Sequence, residues 1–366
     1  MSLYSYNNST ELGNGTQSEN NVSNAGQYII SSAYVLIAVV SVVSNSMFCI
    51  ILYKKKSPTA KATEYLFLNL AATDMLSGIL LIVVPGFVIP IPDYPIPHVG
   101  LELFCRLIWS NALFFMLGFI SVWTLLAICV DRWFAIAMPF SYKEICTKRK
   151  ALITIIIIWI ANIGLAMDNF LDRTAGPNGT KCVFFIWVNP ADKAAVVTAL
   201  QVVRIFIPSL LIAVVYLDIG RRILHSSYRK KVRVEPPKNT IIRSSQRDAL
   251  IRKQVTVMSF IAAVVFLICW LPNEIYYTMA IHDPRLFKNI TIRRITKLLT
   301  GLNSTLNPLI YAISNKYYRE GFIELLRCRI TVTLNRVSIL PSSFANNSHI
   351  NTVVKAWEKE SDFTLS

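Results

Sequence analysis

Seven apolar runs constrain this 366-residue chain more than any other feature. Each is near or above the ~20 residues that carry a helix across ~30 Å of bilayer hydrocarbon. They lie at residues 28–53, 64–90, 103–130, 151–170, 194–219, 254–277 and 295–313. The fourth, opening at Ala151, is the least interrupted. The seventh is the most polar, with Lys297, Asn303, Asn307 and Pro308 inside it. Such groups are costly in lipid and turn toward a bundle interior; a re-entrant or amphipathic segment is the other reading of that run. Composition agrees with a membrane protein, because 54% hydrophobic and 16% charged residues leave too little charge for two soluble surfaces. Seven cysteines in this length are ordinary usage rather than a disulfide scaffold. The expected fold is an all-α membrane protein, a seven-transmembrane helix bundle.

The net charge of +16 invites a nucleic-acid reading, but its distribution answers it. Lys54, Lys55, Lys56 and Lys61 fall in the first loop, and Lys143, Lys148, Arg149 and Lys150 in the third. The fifth loop runs from Arg221 through Lys230 and Lys231 to Arg252 and Lys253, and the tail adds Lys316, Arg319, Arg327 and Arg329. Seven spans put all of these on one side, which the positive-inside rule makes cytoplasmic. The N-terminus is then outside and the plasma membrane the expected location. Residues 1–27 contain no Lys or Arg and no apolar signal-peptide core, and read as a disordered, glycosylated outer tail. Sequons at Asn7, Asn8, Asn14 and Asn21 in this tail and at Asn178 in the fourth loop fit that side, as does Asn289 in the sixth. Residues 28–313 form the membrane domain. Residues 314–328 alternate apolar and basic positions at helical spacing, suiting a short amphipathic helix on the inner membrane surface, with Cys328 a palmitoylation candidate. Residues 329–366 read as a disordered cytoplasmic tail with Ser338, Ser342, Ser343 and Ser348 as candidate phosphosites.

Polar residues within the spans form a pattern. Span one holds Asn45, and span two Asn69 to Asp74. Span three ends Asp131-Arg132-Trp133, and span four holds Trp159. Span five has Pro208 and Tyr216, and span six Phe266-x-x-Cys269-Trp270-Leu271-Pro272. Span seven has Asn307-Pro308-Leu309-Ile310-Tyr311. In this order, on these spans, the chain resembles the rhodopsin-like (class A) G-protein-coupled receptors over about residues 28 to 328, most nearly the peptide-receptor branch.

The resemblance implies a sodium pocket of Asp74, Ser121, Asn303, Ser304 and Asn307, holding Na⁺ in the inactive state. A hard cation wants oxygen ligands and a buried carboxylate wants a counter-charge. It also implies an activation switch of Asp131, Arg132, Trp133, Tyr216, Phe266, Trp270, Pro272, Asn307, Pro308 and Tyr311. Asp131 would hold Arg132 at rest, and Pro272 would kink span six above a moving inner half. The acid that locks this arginine from span six in some members is absent, since Arg252 stands there. A loosely held resting state is therefore expected. The family disulfide would join Cys105 and Cys182, yet Cys105 lies twenty-seven residues before Arg132 where the family has twenty-five. A bulge or extra turn is needed to absorb the difference. Implied partners are an extracellular ligand, a heterotrimeric G protein, membrane lipids, and arrestin and receptor kinases acting through the phosphorylated tail.

The ligand class is narrowed by exclusion. The Schiff-base lysine of a retinal protein would stand seven residues before Pro308, at Gly301, and no acid lies between Glu102 and Asp131 to meet an amine. Arg204 and Glu274 lie at similar depth on spans five and six. They form either an internal salt bridge or a ligand site with Trp270 and Tyr277. The rim is mixed, with Arg285, Lys288, Arg293, Arg294 and Lys297 against acids that include Asp168 and Asp172. A peptide fits best, and a lipid or small carboxylate ligand is the alternative. Among other classes, a transporter lacks support because no internal repeat is found. Enzyme motifs such as a phosphate loop, a zinc-binding H-E-x-x-H or a G-x-S-x-G elbow are missing from the sequence.

Overall fold

The computed structural model describes residues 17–54, 61–85, 87–88, 98–176, 182–184, 189–231, 240–283, 285–286 and 289–327. Asn7, Asn8, Asn14, Asn178 and Cys328 lie outside these, and Asn21 is described in its backbone alone. The chain divides into two units, Met1–Ile323 and Glu324–Ser366, the second described only to Arg327.

The chain is helical almost throughout the described residues. In order come α1 (Gln17–Lys54), α2 (Lys61–Val83), α3 (His98–Phe104), a π turn (Cys105–Trp109) and α4 (Ala112–Ala137). Next are α5 (Tyr142–Ile145), α6 (Lys148–Leu165), α7 (Met167–Leu171), β1 (Arg173–Ala175) and β2 (Cys182–Phe184). The rest are α8 (Pro190–Gln201), a second π turn (Val202–Phe206), α9 (Ile207–Lys231), α10 (Thr240–His282), α11 (Ile290–Ser314) and α12 (Lys316–Leu326). Helix starts follow local chemistry. Thr147, Asn189 and Asn289 accept the first free amides of α6, α8 and α11, and Pro190 opens α8 where its missing N–H costs nothing. Asn315 closes α11 and accepts from the Tyr317 amide at 2.9 Å to start α12.

Six stretches of the described residues are long and apolar enough to cross a membrane: Tyr28–Lys54, Ala62–Val83, Ala112–Ala137, Lys148–Leu171, Ala191–His225 and Leu250–His282. The protein is therefore a multi-pass membrane protein. Several limits differ from the sequence expectation. The helix of the first span reaches back to Gln17, into residues assigned to the outer tail, while its membrane-compatible part begins at Tyr28. The second ends at Val83 rather than Pro90. The seventh run forms α11, which is too polar to stand among the six; its Thr296, Thr300, Asn303, Ser304, Thr305 and Asn307 are nevertheless buried. It packs on α1, α2 and α10, and α4 runs centrally against α2, α6, α9 and α10.

Apolar helices gain little from contact in lipid, so small residues and polar ties decide their packing. A Cβ on Gly78 would meet Ser41 Cβ at 3.0 Å, so α1 and α2 approach closely there. Ser41 Oγ donates to the Asp74 carbonyl at 2.9 Å and to the Ser304 carbonyl at 3.2 Å. Asn45 donates to the carbonyls of Ser41 and Ser304, both at 2.9 Å. These bonds tie α1, α2 and α11 together. Trp159 donates to Asn69 at 2.9 Å, and Asn69 donates to Thr124 at 2.8 Å, tying α6, α2 and α4.

The register problem at Cys105 has a local solution. A π turn carries one residue more per turn than an α-helix; the Ser110 amide reaches back five residues to the Cys105 carbonyl at 3.1 Å. Asn111 then takes a left-handed conformation at φ 59°, interrupting the helix before α4 begins. The cysteine still meets Cys182, and the two are disulfide-bonded with Cα atoms 5.5 Å apart. The bond fixes β2, which pairs antiparallel with β1 with Ala175 opposite Cys182. Glu102 of α3 accepts from the Ala175 amide at 2.6 Å and from Thr174 Oγ1 at 3.0 Å, anchoring the other strand.

Candidate functional site

The expected site residues fall into four layers along the bundle. Nearest the disulfide, the second π turn sets Arg204 inside the protein, only 1% exposed. Its guanidinium pairs with Asp168 of α7 and lies over the Phe119 ring, 5.0 Å from the centroid. Glu274, also 1% exposed, accepts from Gln201 at 2.7 Å and from Asn273 at 3.1 Å. The salt bridge considered between Arg204 and Glu274 is therefore not formed; each has its own partner on another residue. Asp168 had been counted as a rim acid, and its partner Arg204 shows that it belongs to the interior. Tyr277 has Asp172, Asp168 and Glu274 as charged neighbours.

Below this layer stands an aromatic column. Trp270 stacks on Phe266 at 5.5 Å between centroids and on Phe114 at 6.4 Å, with Phe115 and Phe119 at its edges. Gly118 makes room for it, since a Cβ there would overlap the Trp270 ring. Pro272 lies inside α10 two residues further on, where it can donate no backbone bond.

The middle layer contains the expected ion pocket. Asp74 is fully buried and accepts from Asn307 Nδ2 at 2.7 Å. Ser121 Oγ shares a hydrogen bond with Thr73, the neighbour of Asp74, at 3.0 Å. Ser304 Oγ donates to the Gly301 carbonyl at 2.8 Å. The side-chain oxygens of Asn303 and Asn307 are buried without a partner among the described residues. One carboxylate and unpartnered amide oxygens are a donor set that fits a hard monovalent cation. Ser41 is a member of this layer that sequence reading missed, although it precedes Asn45 by one helical turn.

At the far end Arg132 is buried and closed in. Asp131 accepts from its Nε at 3.1 Å and from Nη2. The Tyr142 hydroxyl accepts from Arg132 at 2.8 Å and lies 3.1 Å from Asp131 Oδ1. Thr63 donates to Asp131 at 2.7 Å and accepts from Arg132. Thr63 and Tyr142 were not foreseen, because nothing local marks them; they hold Arg132 from α2 and α5, where the absent span-six acid does not. Trp133 donates to Asp218 of α9 at 2.7 Å, and Arg222 lies over its ring at 5.5 Å. Tyr216 packs on Phe260 at 5.1 Å, and Tyr311 lies among Phe48, Phe67 and Tyr318. The Tyr311 hydroxyl is buried without a hydrogen-bond partner among the described residues, whereas that of Tyr216 faces Cys129 and Ser259.

A bundle of membrane-compatible helices, a disulfide-tied hairpin and a buried Asp131–Arg132 pair fit a receptor architecture. Residues 44–311 match the seven-transmembrane receptors of the rhodopsin family. The chain belongs to that family. It is 24% identical over 304 residues to galanin receptor 2a of Danio rerio, covering 82% of this chain and 78% of that one. It is 24% identical to a Gq-coupled rhodopsin of Mizuhopecten yessoensis, across 81% of this chain and 59% of that longer protein. Neuromedin-U receptor 2 of Mus musculus is 26% identical, across 80% of this chain and 74% of the other.

Proposed function

We propose that the protein is a plasma-membrane receptor for an extracellular peptide and activates heterotrimeric G proteins. The relatives named for galanin and neuromedin U support the peptide. The Gq-coupled rhodopsin is a weaker guide, because Gly301 stands where this chain would need the retinal lysine. The observation that carries the reading is the enclosed Arg132, a buried cation held by side chains of α2, α4 and α5. Arg132 becomes available to a partner only when its network with Thr63, Asp131 and Tyr142 opens. α11 supplies the seventh crossing, its polar residues turned inward, and α12 lies on the inner membrane surface.

The sidedness rests on two arguments. A persistent disulfide belongs to the oxidising face, so Cys105 and Cys182 set that end outside with the N-terminus. The Lys- and Arg-rich loops lie at the other end. Asn7, Asn8, Asn14, Asn21 and Asn178 are then glycosylation sites, and Cys328 a palmitoylation site. The serine-bearing tail is the substrate of receptor kinases and the dock of arrestin. Asp74, Ser121, Asn303, Ser304 and Asn307 would hold Na⁺, which supplies the counter-charge of Asp74 in the resting form. In the open form the unpartnered hydroxyl of Tyr311 recovers a hydrogen bond whose lack costs about 1–3 kcal/mol.

Nucleotide exchange on a panel of G proteins, with the receptor exposed to fractionated peptide extracts, tests this reading. Extract-dependent exchange is expected. Solute flux across receptor-bearing vesicles without exchange on any G protein would overturn it in favour of a transporter.

A further inference from the structure

Several charges of the disulfide end have partners of their own, and Lys297 does not join them. Arg204 has Asp168, and Lys193 has Asp172 at 2.8 Å. Arg106 has Glu102, Arg285 has Asp283, and Glu274 is met by the neutral donors Gln201 and Asn273. Lys297 has no acidic side chain within ion-pair distance among the described residues. Its ammonium instead lies 5.4 Å from the centroid of the Phe87 ring. The charged groups that act on it are Arg293, one turn earlier on α11, and Arg173 of β1, the latter paired with Asp172 at 3.6 Å.

What adjoins this ammonium is apolar and aromatic. Phe87 is buried and meets Tyr34 at 5.2 Å and Phe114 at 5.0 Å between centroids. Leu298, Leu302 and Phe115 pack on the same cluster. Phe114 stacks in turn on Trp270. A cation above this wall has a direct line of packed rings to the switch in α10.

We infer that Lys297 anchors the ligand through a carboxylate carried beside an aromatic or bulky apolar group. An ammonium is a compact point charge with three donors, so it accepts one carboxylate oxygen without a fixed fork geometry. The low-dielectric aromatic wall strengthens that charge-assisted bond, and the neighbouring ligand group lies on Phe87 and Phe114. This reassigns the ligand anchor from Arg204 and Glu274, which are already partnered, to α11. It rests on the reading of the protein as a peptide receptor and names what that peptide must carry.

The full-length receptor in lipid nanodiscs is titrated with N-acetylphenylalanine and with N-acetylphenylalaninamide, followed by saturation-transfer NMR. The acid is expected to bind about tenfold or more tightly than the amide, the size of one charge-assisted hydrogen bond. Lys297→Gln should abolish that preference and Lys297→Arg keep it, both at unchanged melting temperature. Two further probes separate the sources of the carboxylate: N-acetyl-aspartyl-phenylalaninamide offers it on a side chain, and decanoate on a lipid. The side-chain or terminal acid binding better than decanoate supports a peptide anchor. Decanoate binding best, equal affinity for acid and amide, no acid binding at its solubility limit, or an acid preference that survives Lys297→Gln would overturn it. Extract-driven nucleotide exchange in the same preparation keeps the two readings apart: it persists if only the anchor is wrong and is absent if the receptor reading fails.

Discussion

Tyr142→Phe should release the resting receptor. The hydroxyl that it removes accepts from Arg132 at 2.8 Å and lies 3.1 Å from both Asp131 Oδ1 and Thr63 Oγ1. The ring remains, and with it the placement of the guanidinium 5.8 Å from its centroid, so packing is little changed. A hydrogen bond to a charged group is worth about 1.5–3 kcal/mol. If Arg132 leaves the hydroxyl on opening, that stabilisation is lost from the closed form alone. The ratio of open to closed receptor then rises about 10-fold to 150-fold, at about 1.4 kcal/mol per factor of ten. The assay is ligand-free nucleotide exchange, normalised to receptor at the cell surface. Arg252→Glu, which supplies the missing acid on α10, should move basal exchange the other way. Unchanged exchange in Tyr142→Phe at equal surface density would refute the idea that this hydroxyl holds the switch.

Three further outcomes follow from the geometry. Arg204→Ala strips a buried carboxylate of its partner, a change that costs about 3–5 kcal/mol; surface expression should fall, and the paired change Arg204→Met with Asp168→Leu should restore it. Gly118→Ala drives a methyl into the Trp270 ring, and overpacking of this kind costs about 1–3 kcal/mol; an unchanged melting temperature would show that the ring has room to turn. The bond from the Ala175 amide, joined by those from Arg106 and Thr174, holds the Glu102 carboxyl below its ordinary value of 4.5. A lowered folded value means that the link is complete above 4.5 and is lost only as pH falls through the lower folded value. Protection of the Ala175 amide against hydrogen exchange, corrected for its intrinsic rate, should hold from neutral pH down to 4.5 and decline beneath it.

Much of the protein was legible in the sequence because membrane insertion reads local properties. Run length and apolarity found all six spans, with the first and fourth placed to within three residues at both ends and the third set several residues too early, and the order of Asn45, Asp74, Arg132, Trp159, Pro208, Pro272 and Pro308 was enough to recognise the family. The pairing of Asp131 with Arg132 is a neighbour relation and was equally readable. The seventh helix was harder, since its inward polar residues lower the very signal that identifies a span.

Pairings between helices were not legible. Arg204 and Glu274 stand at the same depth, but depth does not give azimuth. The π turn at Val202–Phe206 adds a residue to its helix and reorients what it carries, so Arg204 faces Asp168 and Phe119. A π turn at Cys105–Trp109 and the left-handed break at Asn111 together interrupt the helix after Cys105, and a disulfide whose spacing looked wrong still forms. Thr63, 69 residues away in sequence, and Tyr142, ten residues away, reach Arg132 only because α2 and α5 converge on the end of α4. The sequence by itself determined that the chain crosses lipid many times, which family it joins and which polar residues stand inside its apolar runs. Which of those residues meet was decided by the tertiary structure, because that depends on the rotation of each helix about its axis, and one inserted residue turns a side chain by about 100°.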